Sequence, residues 1–309
     1  MRYAIIDLGT NTFNLLIVEG VSPDKYNIIF NDKLPVKLGL GGINNRLLTP
    51  EAVNRGVGAM VSHKEKILEH KAGQVFAFAT SAIRDASNGG EFKKKVWQET
   101  GIDIRIISGD KEAQYIYQGV KKAFPFTDQV SLILDIGGGS NEFIFANENG
   151  PLWARSYDVG IARLLDKFVP SEPITPKQLA QVNAFLNQEL NTFLEVIPKY
   201  GATSLVGASG TFDTFRSMML LDQKSSVDII NPTCVRLEKE AFENLTQKLT
   251  ASTTEERKMM PGMEPMRIEM IVLASIFVTF TLEKTGIQNL YQTDYSLKEG
   301  VLSSIFENK

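Results

Sequence analysis

The sequence predicts an α/β protein made of two similar domains with a cleft between them. Its 309 residues exceed the usual size of one hydrophobic core and suit two domains of about 150 residues each. Apolar strand patterns alternate along the chain with helical patterns, as in α/β folds. A pattern also occurs twice, at residues 4–17 and 132–145. We therefore expect the second domain to repeat the architecture of the first.

The repeated pattern joins two apolar strands through a turn rich in small and hydroxyl residues. The copies are AIIDLGTNTFNLLI and LILDIGGGSNEFIF, which align Asp7 with Asp135 and Thr12 with Ser140. Each copy predicts a β-hairpin, and glycine-containing tips let backbone N–H groups approach an anion closely. An aspartate at each strand end suits a hard cation. The two copies therefore indicate two phosphate-binding loops that face one another across the cleft.

Local signals predict the other elements of the first half in order. The helix at 50–71 begins with Thr49 as its N-cap and Pro50 at its first position, which is a typical helix start. The other expected elements are strands at 26–31, 34–40, 74–79 and 103–107, and helices from Ser81, at 91–100 and at 111–124. The turn PFTD at 125–128 marks the expected boundary between a first domain, 1–124, and a second domain, 125–309.

The second half repeats this alternation and ends in a helix that we expect to pack back on the first domain, within residues 297–309. The segment 267–282 is almost wholly apolar in its middle, which predicts a core helix. The other expected elements are strands at 130–135, 142–147, 152–159, 203–207 and 288–293, and helices at 160–168, 176–198, 211–221, 238–250, 266–284 and 297–307.

Composition excludes several classes of function. The net charge of −3 does not favour sequence-independent binding of nucleic acid. One cysteine and two histidines leave too few ligands for a structural zinc site, and a single cysteine fits a reducing cytoplasm. Asp7 interrupts the first apolar run, so no signal peptide is expected. The longest apolar run, 271–280, is about half of what a membrane-spanning helix needs.

Six motifs in order resemble the exopolyphosphatase / guanosine pentaphosphate phosphohydrolase (Ppx/GppA) family in its short two-domain form. They are IDLGTNTF at 6–13, ATSAIRDASNG at 79–89, IISGDKEAQYIYQGV at 106–120, LDIGGGSNEF at 134–143, VGASGTFDTF at 206–215 and SLKEGVL at 296–302. The resemblance covers essentially the whole chain. It implies two ribonuclease-H-like domains of the actin-like ATPase superfamily and hydrolysis of phosphoanhydride bonds.

The resemblance also implies roles for individual residues. Glu112 matches the family's proposed catalytic base, and Glu142 is a second acidic group that orients water or a metal; from the sequence alone, Glu112 is equally compatible with a carboxylate that complements a helix dipole. Asp7 and Asp135 are the expected ligands of Mg²⁺. The expected phosphate-binding residues are Thr10, Asn11, Thr12, Arg84, Gly137, Gly138, Gly139, Ser140, Ser209, Gly210 and Thr211. The SLKEG helix is interpreted as structural.

Three positions depart from the family pattern, namely Asn14, Lys111 and Asn141. Lys111 stands beside Glu112, and we expect its charge to lower the pKa of that carboxyl and weaken it as a base. A chain substrate would need a basic track, for which the lysine clusters 93–95 and 121–122 are candidates.

Three functions remain open at this stage. The leading hypothesis is a magnesium-dependent hydrolase that removes terminal phosphate from inorganic polyphosphate. Guanosine pentaphosphate is the alternative substrate, because the same chemistry would act on it. A sensor that binds polyphosphate or a nucleotide and closes with little hydrolysis is the alternative outside the enzyme class. A sugar or acetate kinase is disfavoured, since no acceptor-substrate motif is found. A cytoplasmic homodimer without nucleic-acid or membrane partners is expected.

Overall fold

The computed structural model describes residues 1–22, 25–222 and 227–307, and its strands form two separate sheets. The five strands of the first sheet are β1 (Arg2–Leu8), β2 (Thr12–Ser22), β3 (Lys25–Pro35), β4 (Gln74–Ala79) and β5 (Ile104–Ile106). The seven strands of the second sheet are β6 (Ser131–Ile136), β7 (Asn141–Asn147), β8 (Gly150–Tyr157), β9 (Ser204–Ala208), β10 (Val227–Asn231), β11 (Cys234–Leu237) and β12 (Asn289–Thr293).

The helices cover both faces of the sheets. Those of the first half are α1 (Pro50–Glu69), α2 (Ser81–Asp85), α3 (Gly89–Thr100) and α4 (Gly109–Ala123). Those of the second half are α5 (Ile161–Phe168), α6 (Pro176–Glu189), α7 (Asn191–Tyr200), α8 (Gly210–Leu221), α9 (Lys239–Thr250), α10 (Thr254–Lys258), α11 (Ile271–Thr285) and α12 (Leu297–Glu307). Short 3-10 turns lie at Ile43–Asn45 and Pro265–Arg267.

The two sheets share one strand order. The first runs β3-β2-β1-β4-β5, and the second contains the same order as β8-β7-β6-β9-β12, extended by β11 and β10. In each sheet the first three strands along the chain pair antiparallel. The other two strands of the shared order run parallel to the central strand, which is β1 in the first sheet and β6 in the second. The structure thus confirms two ribonuclease-H-like domains of the actin-like ATPase type.

Both repeated segments form the expected hairpins, β1–β2 and β6–β7. The strand β1 is apolar along nearly its whole length because helices cover both faces of the sheet. Ile6 packs with residues of α1 and α3, whereas Ile5 packs with α4 and α12. The apolar helix α11 is buried in the second domain, as predicted. Among the described residues, no helix combines the length and hydropathy needed to cross a membrane.

Several predicted bounds were wrong. The strands expected at 26–31 and 34–40 are one strand, β3, which ends at Pro35, and residues 38–42 form turns. The helix expected at 176–198 divides at Leu190 into α6 and α7. The helix expected from 266 begins at Ile271 after a 3-10 turn. The sequence predicted no element at β10, β11 or α10, because these segments are short and lack a clear hydrophobic period.

The last helix, α12, packs against α4 of the first half. A Cβ on Gly300 would lie 1.7 Å from the carbonyl oxygen of Tyr115, so the two helices touch through backbone. The ring of Phe306 also meets that of Tyr3 at 5.1 Å. Residues 308–309 of the expected segment lie outside the described residues. The division of the chain at 124/125 stays a proposal.

Candidate active site

The tips of the two repeated hairpins meet at the floor of a cleft of about 480 Å³. A Cβ on Gly138 would lie 2.3 Å from Nδ2 of Asn11, so the loops are in contact. Four backbone N–H groups at these tips donate to no acceptor in the described part of the chain, namely those of Thr10, Asn11, Gly138 and Gly139. Unpaired N–H groups on adjacent residues form an anion-binding concavity, which suits phosphate.

A third loop, between β9 and α8, closes the wall on the side of the second domain. Ser209 precedes α8 with φ +74° and ψ 172°, a region that is almost confined to glycine. Gly210 and Ser209 line the cleft, and helix N-termini favour anions. Such strain at a ligand-facing loop is typical of functional sites.

An aspartate stands at the end of the first strand of each hairpin. Asn14 Nδ2 donates to Asp7 Oδ2 at 3.0 Å, and Ser296 Oγ donates to Asp135 Oδ2 at 2.5 Å. Burial raises the pKa of Asp7 to about 6, and Lys298 and Asn14 oppose that rise. Burial also raises the pKa of Asp135. Both carboxylates line the cleft.

Glu142 lies on β7 directly opposite Asp135. Its Oε1 accepts a hydrogen bond from Ser156 Oγ at 2.6 Å, which fixes the carboxyl group from β8. Burial, followed by the charge of Asp135, raises the pKa of Glu142 to about 7. A carboxyl group with such a pKa exchanges protons near neutral pH.

Glu112 lies in the first turn of α4, whose N-cap Ser108 accepts a hydrogen bond from the backbone N–H of Lys111. The Glu112 side chain is buried and lines the cleft, and its Oε2 accepts from Arg84 Nη1 at 2.9 Å. Burial, and then the charge of Glu142, raises the pKa of Glu112 well above its ordinary value, although Arg84 opposes the rise. A raised pKa makes the carboxylate a stronger base.

The expectation that Lys111 lowers the pKa of Glu112 was wrong. The Lys111 ammonium lies over the ring of Tyr115 at 4.6 Å and contacts Gln114 Oε1, on an exposed part of α4. Its charge is not among the causes of the Glu112 shift. The pKa rises instead of falling because Glu112 is buried beside another carboxyl group.

The cleft wall contains most of the predicted site residues and omits two of them. Arg84 and Thr211 are not among its lining residues in the described chain. Arg84 lies behind Glu112, ion-paired with it and with Asp85, and Thr211 is buried with its Oγ1 3.5 Å from the carbonyl oxygen of Ile136. The predicted residues on the wall are Asp7, Thr10, Asn11, Thr12, Glu112, Asp135, Gly137, Gly138, Gly139, Ser140, Glu142, Ser209 and Gly210.

Sequence reasoning missed the basic groups of the cleft. The described lysines on its wall are Lys33 and Lys298, and Arg267 reaches it beside Gly210. The clusters 93–95 and 121–122 do not line the wall in the described chain, because α3 and the end of α4 lie away from it. The SLKEG helix start, interpreted as structural, also supplies Ser296 and Lys298 to the site. The sequence signal for this role was that Ser296 and Lys298 belong to the recognised motif at 296–302.

The carboxylates of the cleft do not by themselves complete the ligand set of a hard cation. Among residues 1–22, 25–222 and 227–307, no three His, Cys, Asp or Glu side chains are grouped as a metal site. Asp7 and Asp135 bring two carboxylates to the cleft, one from each hairpin. Magnesium is commonly bound by one or two carboxylates together with waters and substrate phosphates. The donor set therefore fits magnesium that arrives with a phosphate ligand.

Comparisons with known proteins agree with this geometry. Residues 17–309 match the model of the Ppx/GppA phosphatase family. The chain is 32% identical to a bifunctional 3-dehydroquinate synthase/phosphatase of Fusobacterium nucleatum, over 99% of this chain and 47% of that protein, so it spans about half of that relative. It is 24% identical to exopolyphosphatase 1 of Mycobacterium leprae, over 98% of this chain and 88% of that protein.

A solved structure resembles the whole chain. The crystal structure of an exopolyphosphatase from Cytophaga hutchinsonii has a TM-score of 0.95 and 35% sequence identity, covering 100% of this chain and 98% of that one. The similarity therefore extends across both domains and the cleft between them.

Proposed function

The chain belongs to the Ppx/GppA phosphatase family and is a phosphoanhydride hydrolase, and from this premise we propose that it removes terminal phosphate from inorganic polyphosphate and releases orthophosphate. The observation that carries the proposal is the pair of buried glutamates, Glu112 and Glu142, on the wall of a cleft whose floor offers unpaired backbone N–H groups. The N–H groups suit phosphate oxygens, and the glutamates suit an attacking water.

Glu112 is proposed as the general base. Its raised pKa favours uptake of a proton from water as the water oxygen attacks the terminal phosphorus in line. Arg84 donates to Glu112 Oε2 and would hold the carboxylate in one orientation. Glu142, itself fixed by Ser156, would orient the same water.

The glycine loops are proposed to bind the transferred phosphoryl group. Charge spreads over its oxygens in the transition state, so fixed N–H donors stabilise it without reorganisation. Thr10 and Thr12 of the first tip and Ser140 of the second supply further hydroxyl donors. Asp7 and Asp135 would hold magnesium, which when bound would neutralise charge on phosphate oxygens.

The substrate proposal follows from the shape and charge of the cleft. Lys33, Lys298 and Arg267 line the cleft, where they would meet the following phosphates of a chain. The names of the Mycobacterium leprae and Cytophaga hutchinsonii relatives favour polyphosphate. Guanosine pentaphosphate stays the alternative substrate. We also propose a cytoplasmic homodimer, and light scattering across micromolar concentrations tests whether the protein is dimeric.

Phosphate release by the purified protein tests the proposal. Long polyphosphate, short polyphosphate and guanosine pentaphosphate are offered with and without magnesium. We expect release from polyphosphate that requires magnesium and falls about 10²–10⁴-fold in Glu112→Gln. Asp110→Asn is the matched control, since Asp110 is an exposed carboxylate in the same helical turn. Preference for guanosine pentaphosphate would overturn the substrate, and binding without release would favour the sensor.

A further inference from the structure

A buried arginine of the second domain reaches into the first beside the second glycine loop. Arg163 lies on α5, and its side chain is 9% exposed. Its Nε donates to the carbonyl oxygen of Gly139 at 2.7 Å, within the second glycine loop. Its Nη1 donates to the carbonyl oxygen of Ile43 at 2.9 Å, and its Nη2 donates to Asp85 Oδ2 at 2.6 Å. One side chain thus joins a phosphate loop to two segments of the other domain.

Asp85 connects this arginine to the candidate catalytic pair. Its Oδ1 accepts from Arg84 Nε at 3.3 Å, while its Oδ2 accepts from Arg163 and from Ser81 Oγ at 3.0 Å. Arg84 in turn donates through Nη1 to Glu112 Oε2. An unbroken series of ionic hydrogen bonds therefore runs from the second glycine loop to Glu112, in a largely buried setting where each bond strengthens its neighbours.

We propose that Asp85 and Arg163 are positioning residues that couple closure of the two domains to the placement of Arg84 against Glu112. In the closed arrangement Arg163 occupies Asp85 Oδ2, which leaves the Nη1 side of Arg84 for Glu112. When the domains separate, Arg163 withdraws, and Asp85 Oδ2 keeps only the hydroxyl of Ser81 as a donor. Asp85 then takes Arg84 in a two-point ion pair, and Glu112 loses the donor that orients it.

The packing around Arg163 makes it sensitive to closure. A Cβ on Gly139 would lie 2.5 Å from Ser81 Oγ and 2.6 Å from Thr10 Oγ1, so the second loop has no space to shift against the first domain. Other ion pairs between the domains, Lys33–Asp213 and Lys37–Glu269, lie at partly exposed positions. Exposed ion pairs contribute little, whereas removing one partner of a buried pair is costly.

The kinetic experiment compares Arg163→Ala with Arg257→Ala. Arg257 is also buried, and it donates to the carbonyl oxygens of Ser252 and Ile268 and pairs with Glu172, all within the second domain. For Arg163→Ala we expect kcat to fall about 100-fold through misplacement of the base, with KM changed less than about threefold. Millimolar guanidinium should restore part of kcat. Arg257→Ala should lose thermal stability and keep kcat, without rescue.

Further variants guard against misfolding. If Arg257→Ala does not fold, Lys37→Ala serves as the control, because it removes an exposed interdomain ion pair. Asp85→Asn and Arg163→Lys are the milder tests of the series. Asp85→Asn should lower kcat like Arg163→Ala, and the double variant should be no worse than either single one, since the two act as a unit. Additive losses, or wild-type kcat in Arg163→Ala, would overturn the proposal.

This inference rests on the proposed function for its kinetic part, and a distance measurement separates the two. Cys234 is buried, so spin labels at Glu65→Cys on α1 and Glu195→Cys on α7, both exposed, would report the domain separation. We expect one narrow distance in the parent protein and a broader, longer distribution with Arg163→Ala added. A parent protein that releases no phosphate defeats the proposed function while leaving this readout intact. An unchanged distribution defeats the coupling, whatever phosphate release shows.

Discussion

The two hairpins that meet in the cleft share one backbone frame and differ in the residue that stands opposite the aspartate. In β1–β2, Asp7 stands opposite Asn14, which donates to it at 3.0 Å. In β6–β7, Asp135 stands opposite Glu142, and its charge helps to raise the pKa of Glu142 to about 7 after the larger effect of burial. Directly opposed like charges destabilise a strand pair. The first hairpin thus gives its carboxylate a hydrogen-bond donor, whereas the second places two carboxyl groups side by side.

In the proposed mechanism, this difference gives acid–base chemistry to only one of the two phosphate-binding tips. Both tips offer unpaired N–H groups, so both can bind phosphate. Only the second hairpin adds a buried glutamate whose pKa lies near neutrality. The second hairpin is destabilised by repulsion between its two carboxylates. Exchanging the residues at positions 14 and 142 should therefore make each hairpin behave like the other.

The largest expected effect comes from making the second hairpin like the first. Glu142→Asn should lower phosphate release about 10²–10⁴-fold, because the water loses a carboxylate that orients it. A colorimetric phosphate assay with magnesium measures the change. Glu148→Gln is the control, since Glu148 is exposed just beyond the end of the same strand. Equal losses in both variants would contradict the assignment.

Removing the Glu142 charge with a residue of the same shape should stabilise the fold at alkaline pH. The pKa of Glu142 in the folded protein, about 7, exceeds its ordinary value of 4.5. Its stabilising contribution is therefore complete below pH 4.5 and is lost as pH rises through 7. Glu142→Gln does not ionise and should raise the free energy of unfolding at pH 8 by up to about 3 kcal/mol, with little gain at pH 4.5. Urea unfolding in EDTA measures the free energy of unfolding. A stabilisation that is the same at both pH values would contradict ionisation of Glu142 as its cause.

The reverse exchange should destabilise the first hairpin. Asn14→Asp removes the donor to Asp7 and places a second carboxylate opposite it. We expect a loss of about 1–3 kcal/mol at pH 8, smaller at pH 5, where protonation of Asp7, with its pKa of about 6, relieves the repulsion. Asn14→Ala loses the donor without adding charge and should show less pH dependence. Urea unfolding at the two pH values compares them, and identical profiles would mean that repulsion is unimportant.

The smallest expected effect concerns the third loop, which lacks a glycine where the backbone needs one. Ser209 has φ +74°, and its hydroxyl lies 3.4 Å from the carbonyl oxygen of Ile136 and hydrogen-bonds to the side chain of Asp135. Ser209→Gly should raise the free energy of unfolding by about 1 kcal/mol by relieving strain. Ser209→Ala keeps the strain and should not stabilise. Thermal unfolding of both variants distinguishes relief of strain from loss of the hydroxyl.

Much of this comparison was predictable from the sequence. The repeat aligned Asp7 with Asp135 and Asn14 with Glu142, and the period of two along each strand fixed which side chains share a face. The start of α1 followed from Thr49 and Pro50, whose cap the structure confirms. The strand order could be inferred only through family resemblance, because local patterns do not state which strands pair.

The sequence by itself determined the duplication, the glycine tips and the carboxylates at the strand ends, because these depend on local periodicity and on residue type. Tertiary structure decided the partners and the pKa shifts of the carboxylates in the cleft. It brought Ser296 to Asp135 across 161 residues, and it placed Arg84 behind Glu112 instead of on the cleft wall. It also raised the pKa of Glu112, which its neighbour Lys111 had suggested would fall. Desolvation and charge act through space in a buried site, so sequence neighbours are a poor guide to them.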